Sequence, residues 1–419
     1  MRRTSGRARC LVPLILALMS SAAPAAGLPW RGAAELWGYG TWTDVRDEAP
    51  INPDNRIAQI PETRYVADLR AELRGDFDRV HLYLAPRWVG EQQHLAGRDD
   101  QGESHLRLRQ GFVRVDDGAN SWLIGRERLT WGPANFRSPS NPYYFDPGRV
   151  DPLASTHGID LARMTHATGD WRLTGAYVRG TREVPSAGPS RRSALLKLDH
   201  QGEAHLVSGI VMWPGASDAW ARRTPFLGAF GQHVVDDAWL LYWELGSGAP
   251  SGELALSDPP RRRASASRQN VVLVGGSYTR LDGHVVYLEY LHDEGGLDKD
   301  ERRRYRQLAN GAADRLGRGD GGGAQTLGVL LGAAPRLLGR HYLWAGWQSN
   351  PQETRHLWRA ELTVNLDDGS ARTLLYGEKS LADTLSGFAG LTWHSGSHDT
   401  DFGMLTRAQL SLGIKWFAF

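Results

Sequence analysis

Charged side chains recur at every second position in three stretches of the chain, at 68–74, 107–109 and 126–128. This spacing places them on one face of a β-strand. Arginines that no carboxylate neutralises attract anions in a narrow passage, whereas paired arginines and carboxylates form a structural ladder of salt bridges. Both interpretations remain open, and under the first the candidates to line a pore are Asp68, Arg70, Glu72, Arg74, Arg107, Arg109, Arg126 and Arg128.

The segment that follows these arginines, at 132–157, is rich in prolines and carries polar and aromatic side chains. Proline fixes φ and lacks a backbone N–H, so this segment can neither continue a helix nor pair in the interior of a sheet. We predict a stiff loop inserted after a strand over 121–131, and this loop forms the constriction or lid of the passage. Its candidate residues are Asn135, Arg137, Asn141, Tyr143, Tyr144 and Asp146.

A third polar cluster, at 394–401, contains two histidines and two aspartates, which are ligand types for a divalent metal. The cluster lies on a glycine- and serine-rich turn that does not preset ligand geometry, so a solvated loop is the favoured interpretation. The sequence contains no recognisable nucleophile elbow with a Ser/His pairing. We therefore predict that the protein is not an enzyme and that it has no catalytic residue, no metal site and no cofactor.

Composition and the first residues indicate an exported protein. The 419-residue chain balances 49 Lys and Arg against 47 Asp and Glu, which does not indicate a nucleic-acid partner. Residues 1–25 combine arginines, an apolar centre at 11–19 and small residues, and these features predict a signal peptide cleaved near Ala25. The single cysteine, Cys10, lies in that segment, so the mature chain has no disulfide framework.

The period of the apolar residues predicts the fold. In the stretch 64–79, alanines and leucines alternate with charged residues, which is the pattern of a strand. Similar stretches follow, and through most of the chain short turns and long insertions alternate, as they do in outer-membrane barrels with short periplasmic turns and long external loops. We predict an all-β fold over 26–419, a transmembrane antiparallel β-barrel in the cell outer membrane of a Gram-negative bacterium.

The strand count is about eighteen, with sixteen as the next choice. The alternation marks nineteen candidate strands, and a bacterial single-chain barrel needs an even number, so one of them is wrong. The loop pattern changes within 325–366, which holds the candidate strands 325–334, 341–348 and 356–366, and we place the error there. The long loop at 293–323 is predicted to hold a helix over 301–316, because Asp298 and Glu301 have the spacing of a capping box. Its arginines could bind lipopolysaccharide, but a solvated face is favoured.

Two positions conflict with strict alternation. Glu127 lies between Arg126 and Arg128, so a lumen that contains those arginines turns Glu127 to lipid, unless it lies at the interface or a bulge intervenes. At the carboxyl end, Phe417 and Phe419 fall on the face opposite the alternating apolar residues 410–416, so we expect a bulge or a swap of phase there. A terminal aromatic strand resembles the signal that outer-membrane proteins present to their assembly machinery, with Phe419 as the contact.

The run GRERLTWG at 125–132, followed by Asn141-Pro142, resembles a signature of porin-like outer-membrane barrels in proteobacteria, akin to alginate-export-type barrels. The resemblance implies passage of small anionic or saccharide solutes. Two hypotheses stay open: a channel narrowed by the loop 132–157, and a closed barrel that serves as a surface platform for binding or assembly of polysaccharide or lipopolysaccharide. The expected partners are outer-membrane lipids and lipopolysaccharide, the assembly machinery and the solute.

Overall fold

The computed structural model describes residues 30–179, 192–215, 224–248, 253–263 and 268–418. Within these residues, 18 strands form one antiparallel sheet, and its last strand pairs with its first. The sheet is therefore closed into a barrel, and the predicted all-β antiparallel barrel of about eighteen strands is confirmed. The signal peptide predicted at 1–25 and the terminal Phe419 lie outside the described residues.

The strands follow one another around the barrel in chain order. The first ten are β1 (Trp30–Val45), β2 (Thr63–Phe77), β3 (Val80–His94), β4 (Gln101–Asp117), β5 (Asn120–Glu127), β6 (Ile159–Thr168), β7 (Trp171–Val178), β8 (Ser193–Gln201), β9 (His205–Pro214) and β10 (Phe226–Val234). The others are β11 (Trp239–Gly248), β12 (Glu253–Ala255), β13 (Arg261–Arg263), β14 (Gln269–Thr279), β15 (Val285–Asp293), β16 (His341–Gln348), β17 (His356–Asn365), β18 (Ala371–Ala382), β19 (Leu385–Ser395) and β20 (Thr406–Ala418). Strands β12 and β13 pair with each other in a separate hairpin.

The two faces of the wall differ in chemistry. In β20, Leu410, Leu412, Ile414 and Trp416 are exposed, whereas Ser411 and Lys415 between them are buried. Since successive side chains of a strand point to opposite faces, the apolar set covers the outside of the barrel and the polar set faces the lumen. Leucines, valines and tryptophans continue this exposed outer surface on the other strands.

Connections are sorted by length between the two ends of the barrel, except that 349–355 is longer than 366–370 at the opposite end. The turns 78–79, 118–119 and 169–170 have two residues each and lie at the end where β1 begins and β20 ends, which we call the turn side. The connections 46–62, 128–158 and 294–340 lie at the opposite end, which we call the loop side. Gly118 and Gly169 have φ of 58° and 52°, as two-residue hairpin turns require.

The error in the strand count lies at 325–334, which was predicted as a strand. Residues 325–333 belong to a helix, Gly321–Ala333, which follows the helix Lys299–Gly317. We call Lys299–Gly317 α1 and Gly321–Ala333 α2. The side chain of Asp320 accepts the backbone N–H of Gly322 at 2.8 Å and caps α2. A short, continuously apolar run has no period that separates a buried strand from a buried helix, which is why this segment was misassigned.

The predicted helix over 301–316 is confirmed in α1, whose capping box joins Asp298 and Glu301. The helical insertion does not end at 323 but extends over 294–340, and we call it the helical cap. Its core packs α1 and α2 against the loops 46–62 and 396–405. Neither of these helices, nor any other helix among the described residues, is long and apolar enough to cross a membrane.

Two further expectations are corrected. Strand β5 was expected to reach residue 131 but ends at Glu127, so the connection spans 128–158. We call this segment the inward loop. Strand β20 keeps a regular register with β1 from Ala408 through Ala418, and Phe417 pairs with Glu35, so the irregularity expected at its carboxyl end is absent from the described part of this strand. The register shift in this pairing lies at the other end, between Thr406 and Ala408.

Candidate pore and inward loop

The inward loop crosses the lumen and is held by a carboxylate on β15. Glu289 is 1% exposed and accepts the backbone N–H groups of Asn135 at 2.7 Å and of Phe136 at 2.8 Å. The hydroxyl of Tyr242 donates to the same carboxylate at 2.7 Å. An irregular loop leaves its backbone donors unpaired, and a buried donor without a partner is costly. The Glu289 carboxylate therefore compensates for the missing secondary structure.

A second carboxylate, on β11, holds the neighbouring part of the loop. Glu244 is fully buried and accepts the backbone N–H of Ala134 at 2.9 Å. The hydroxyls of Ser138 and Ser140 each donate to it at 2.7 Å. A Cβ added at Gly132, where φ is 86°, would lie 2.3 Å from its Oε1 atom. Sequence analysis missed both carboxylates, although each is the one glutamate in a largely apolar strand.

Asn141, a predicted loop residue, fixes the local conformation of the inward loop. Its amide nitrogen donates to the carbonyl of Leu129 at 2.8 Å. Its amide oxygen accepts the backbone N–H groups of Tyr143 at 3.0 Å and Tyr144 at 3.1 Å. This side chain mimics a backbone turn and rigidifies the loop where the prolines remove donors.

The two predicted tyrosines anchor the same segment to its surroundings. The hydroxyl groups of Tyr143 and Ser193, a residue of β8, lie 2.7 Å apart. Tyr144 donates to the carbonyl of His157 at 2.5 Å. Both rings belong to an apolar cluster with inward-facing residues of β5 to β10. The aromatic pair therefore packs the inward loop against one half of the wall, and neither ring is exposed.

The remaining predicted loop residues form a smaller polar group. Asn135, in addition to its backbone bond, places its amide nitrogen 3.3 Å from Glu289. Arg137 lies 3.4 Å from Asp146 and 4.7 Å above the ring of Phe136. Asp146 is exposed, so it is the predicted loop residue most accessible to a solute.

On β2, the candidates Asp68 and Arg70 belong to a compensated network. Asp68 is fully buried and accepts from Arg70 Nε at 2.8 Å and from Arg87 Nε at 2.7 Å. The guanidinium of Arg70 also lies 3.7 Å above the ring of Trp37. One carboxylate thus orients two arginines against the wall, as the structural ladder requires. Arg87 was not among the predicted residues.

The next candidates along these strands are also paired. Glu72 lies 3.0 Å from Arg74 and 3.3 Å from Arg109. The side chain of Arg74 is 62% exposed, and ion pairs at such positions contribute little to stability. These three side chains therefore position one another and leave a small net positive charge near the turn-side half of the lumen.

Arg126 does not share a face with the lumen residues of its strand. It falls in the alternation with Trp122 and Ile124, which are exposed on the outer surface. Its Nε atom donates to Asp160, the cross-strand neighbour, at 2.7 Å. The facing assigned to Arg126 from the sequence is therefore corrected, because a carboxylate on the adjacent strand satisfies this charge on the outer side.

Glu127 has the opposite orientation to the one that strict alternation predicted. It accepts two hydrogen bonds of 2.9 Å from Arg163 of β6. Arg163 is the cross-strand neighbour of Leu123, which packs in the lumen cluster. Glu127 therefore faces inward and is neutralised there. Arg128 follows in the inward loop and donates to the carbonyl of Pro147 at 2.6 Å.

A cavity of about 370 Å³ lies between the wall of β1 to β4 and residues 151–157 of the inward loop. Among the described residues, the guanidinium of Arg107 makes no hydrogen bond or ion pair, unlike Arg87, which binds Asp68. The cavity is lined by Tyr39, Arg64, Val66, Arg87, Val89, Glu91, His105, Arg107, Asp151, Leu153, Ala154, Ser155 and His157.

The polar cluster at 394–401 connects loops. Asp399 pairs with Arg306 of α1 at 2.8 Å, and Asp401 accepts the hydroxyl of Tyr342 at 2.5 Å. Burial raises the pKa of Asp401 to about 6. No group of three potential metal ligands is placed to bind an ion within the described ranges. Asp399 therefore ties the loop 396–405 to the helical cap, and Asp401 ties it to β16.

A closed antiparallel barrel of 18 strands is the architecture of outer-membrane porins of known structure. The chain is similar to OccK7 (OpdD) of Pseudomonas aeruginosa, with TM-score 0.52 and 10% identity over 93% of this chain and 98% of that one. It is similar to OprD of Pseudomonas aeruginosa, with TM-score 0.52 and 11% identity over 94% and 97%. It is also similar to OccAB1 of Acinetobacter baumannii, with TM-score 0.52 and 10% identity over 93% and 97%.

At this identity the likeness concerns the fold. No model of a protein family and no curated protein matches the chain. The matching structures support the resemblance to porin-like barrels, whereas the expected kinship with alginate-export-type barrels finds no support and is withdrawn.

Proposed function

We propose that the protein is an outer-membrane channel of the porin type, which passes small anionic solutes through a lumen narrowed by the inward loop. The apolar outer face supports placement in a bilayer, because exposed leucines and tryptophans there match a lipid environment. The anchoring of the inward loop to Glu244 and Glu289 supports its role as a constriction. The solute class is argued from the cavity beside that loop.

The observation that carries the anionic preference is the arginine side of the cavity. Arg64, Arg87 and Arg107 line it together with two carboxylates, Glu91 and Asp151. Arg64 lies 3.9 Å from Glu91, and Arg87 is compensated by Asp68 outside the lining, which leaves Arg107 available for a solute. A guanidinium binds carboxylate and phosphate groups through paired N–H donors.

The same lining argues against a neutral sugar. Saccharide sites commonly stack the sugar on exposed aromatic rings, and Tyr39 is the one Phe, Trp or Tyr side chain among the residues that line this cavity. We therefore restrict the saccharide part of the expectation to sugars that carry a carboxylate or phosphate. The charged group of such a sugar would bind Arg107.

The proposed location is the outer membrane of a Gram-negative bacterium, reached after signal-peptide cleavage near Ala25 and assembly through Phe419. The alternating outer face supports the membrane, and the aromatic carboxyl end supports the assembly step. Deletion of Phe419 should lower the amount of folded barrel in the outer-membrane fraction several-fold. An unchanged amount would remove Phe419 from the assembly step.

The alternative is a closed barrel that serves as a surface platform for polysaccharide or lipopolysaccharide. It is favoured by the helical cap, whose α1 exposes Arg303 and Arg304 above the loop side. A closed platform predicts glycan or lipopolysaccharide binding without conductance. The same bilayer experiment therefore separates the two proposals.

The test is ion selectivity in planar bilayers under a salt gradient. The wild-type chain should give an anion-selective reversal potential, and Arg107→Glu should abolish or reverse that selectivity. Arg303→Glu makes the same charge change on the exposed face of α1 and should leave the reversal potential unchanged. Equal reversal potentials for the two variants would contradict the role given to Arg107.

A further inference from the structure

Three histidines lie side by side on the outer face of the barrel, at the turn side. His200 is near the end of β8, His205 begins β9, and His233 is near the end of β10. In the strand alternation, His200 shares the face of Leu198, and His205 shares the face of Val207. Both apolar residues are exposed on the outer surface, so these imidazoles point away from the lumen.

The three rings form one compact group. The ring centroids of His200 and His205 lie 5.5 Å apart, with the planes 23° from parallel. His205 is the direct cross-strand partner of His233, and such partners have Cβ atoms about 5 Å apart. Trp171 packs against His200 at 4.5 Å between centroids. On the other side, Trp239 of the adjacent strand β11 is exposed on the same surface.

The imidazole nitrogens of this group have no use within the barrel. None of the three side chains makes a hydrogen bond or ion pair with another residue in the described part of the chain. The adjoining turns carry Glu203, Asp236 and Asp237. Asp236 is committed to its own turn, where it accepts the backbone N–H groups of residues 238 and 239 at 2.8 Å each.

We propose that His200, His205 and His233 form a binding site for the phosphate group of an anionic phospholipid in the leaflet at the turn side. This proposal rests on the proposed function only through the placement of the wall in a bilayer. Each imidazole offers an N–H donor at the level where the apolar wall meets water, which is where lipid phosphates lie. Trp171 and Trp239 flank the site, as aromatic residues do at a membrane interface.

The test is a titration of the purified full-length protein with phosphatidylglycerol, followed by native mass spectrometry. The variant His200→Ala/His205→Ala/His233→Ala, which removes the three N–H donors, should bind about tenfold more weakly, which corresponds to the loss of a hydrogen bond to a charged group. The control His94→Ala/His105→Ala/His398→Ala removes three histidines of the loop side and should bind the lipid as the wild type does. Phosphatidylcholine serves as the zwitterionic comparison and should bind more weakly to the wild type.

Equal affinity of the wild type and the first variant for phosphatidylglycerol would overturn the lipid site. Equal affinity of the wild type for the two lipids would overturn it as well. Conductance is measured in parallel, because the first variant should conduct as the wild type does. A wild type that shows the phosphatidylglycerol effect without conductance would contradict the channel and leave the lipid site supported.

Discussion

The inward loop and the helical cap are two long insertions at the same end of the barrel, and they satisfy their backbone groups in different ways. The helical cap makes its own backbone hydrogen bonds in α1 and α2, and it packs through apolar side chains such as Leu308 and Leu330. The inward loop forms neither helix nor strand, and carboxylates of the wall accept its N–H groups.

This difference predicts different sensitivities. A helical insertion depends on many small apolar contacts, so single substitutions at its surface change its stability by about 1 kcal/mol or less. An irregular loop that depends on two buried carboxylates loses several hydrogen bonds at once when one acceptor changes. The inward loop should therefore be a cooperative element whose position is set by Glu244 and Glu289. The stability of the helical cap should instead decrease in small steps as substitutions accumulate.

The largest expected effect is release of the inward loop in Glu244→Gln/Glu289→Gln. Each glutamine replaces one acceptor oxygen with an NH₂ donor that faces loop N–H groups. The loss should be roughly 3 kcal/mol, or about a hundredfold in the population of the released loop. We expect trypsin to cleave after Arg137 or Arg149 in the variant and single-channel conductance to rise.

The matched control is Glu378→Gln, a lumen carboxylate of β18 that binds Lys415 and Tyr376. It contacts no part of the inward loop in the hydrogen bonds described, so the loop should stay resistant to trypsin. If the double variant and the control are cleaved at the same rate, the two carboxylates do not hold the loop.

A smaller effect is expected from pH in the contact between the helical cap and the loop 396–405. The pKa of Asp401 is raised from 3.8 to about 6 by burial. The folded contact therefore retains a proton that the open loop releases, and its stability should fall as pH rises from about 4 to 6 and stay level above that. The change should be on the order of 2 kcal/mol.

Hydrogen exchange of residues 396–405, corrected for intrinsic rates, measures this opening free energy between pH 4.5 and 7. Asp401→Asn keeps an acceptor for Tyr342 and should remove the pH dependence. The range stops at pH 4.5 because the pKa of Asp399 is lowered by hydrogen bonds from Ser397 and Arg306, so its protonation opposes the trend at lower pH. A wild type that becomes more stable as pH rises would contradict this assignment.

The smallest effect concerns the capping box of α1. Asp298→Ala removes the acceptor for the N–H groups of Asp300 and Glu301 and should destabilise the first turn by about 1 kcal/mol. Hydrogen exchange in the first turn should accelerate, while conductance stays unchanged. Asp300→Ala, at an exposed first-turn position that makes no cap, should have a smaller effect. Faster cleavage of the inward loop in Asp298→Ala would show that the two insertions are coupled.

The barrel was predictable because its signal is local. Period-2 alternation and two-residue turns are properties of neighbouring residues, so the strands and the sorting of connections follow from the chain itself. The capping box of α1 is local in the same sense. The segment 325–334 was misassigned because TLGVLLGAA is apolar throughout, and the burial of α2 against loops far away in the chain decides its conformation.

The site was less predictable because its partners are distant. Ala134 and Glu244 are 110 residues apart, and Asn135 and Glu289 are 154 residues apart, so no spacing rule joins them. The charge of Arg126 also led to the wrong face of the strand for this residue. Its ion-pair partner Asp160 lies on the outer side of the adjacent strand β6, and the sequence around Arg126 does not show this. A lone glutamate among the apolar residues of β11 or β15 was the available signal for the anchors of the inward loop.

The most direct measurement is the ion selectivity of the full chain and of a variant in which residues 133–148 are replaced by a short glycine-serine linker. Both proteins are inserted into planar bilayers under a salt gradient. We predict anion-selective conductance from both, with the larger conductance in the variant, because the inward loop no longer narrows its lumen. Cation selectivity in both would contradict the anion preference. No conductance from either would contradict the channel itself and favour the closed barrel.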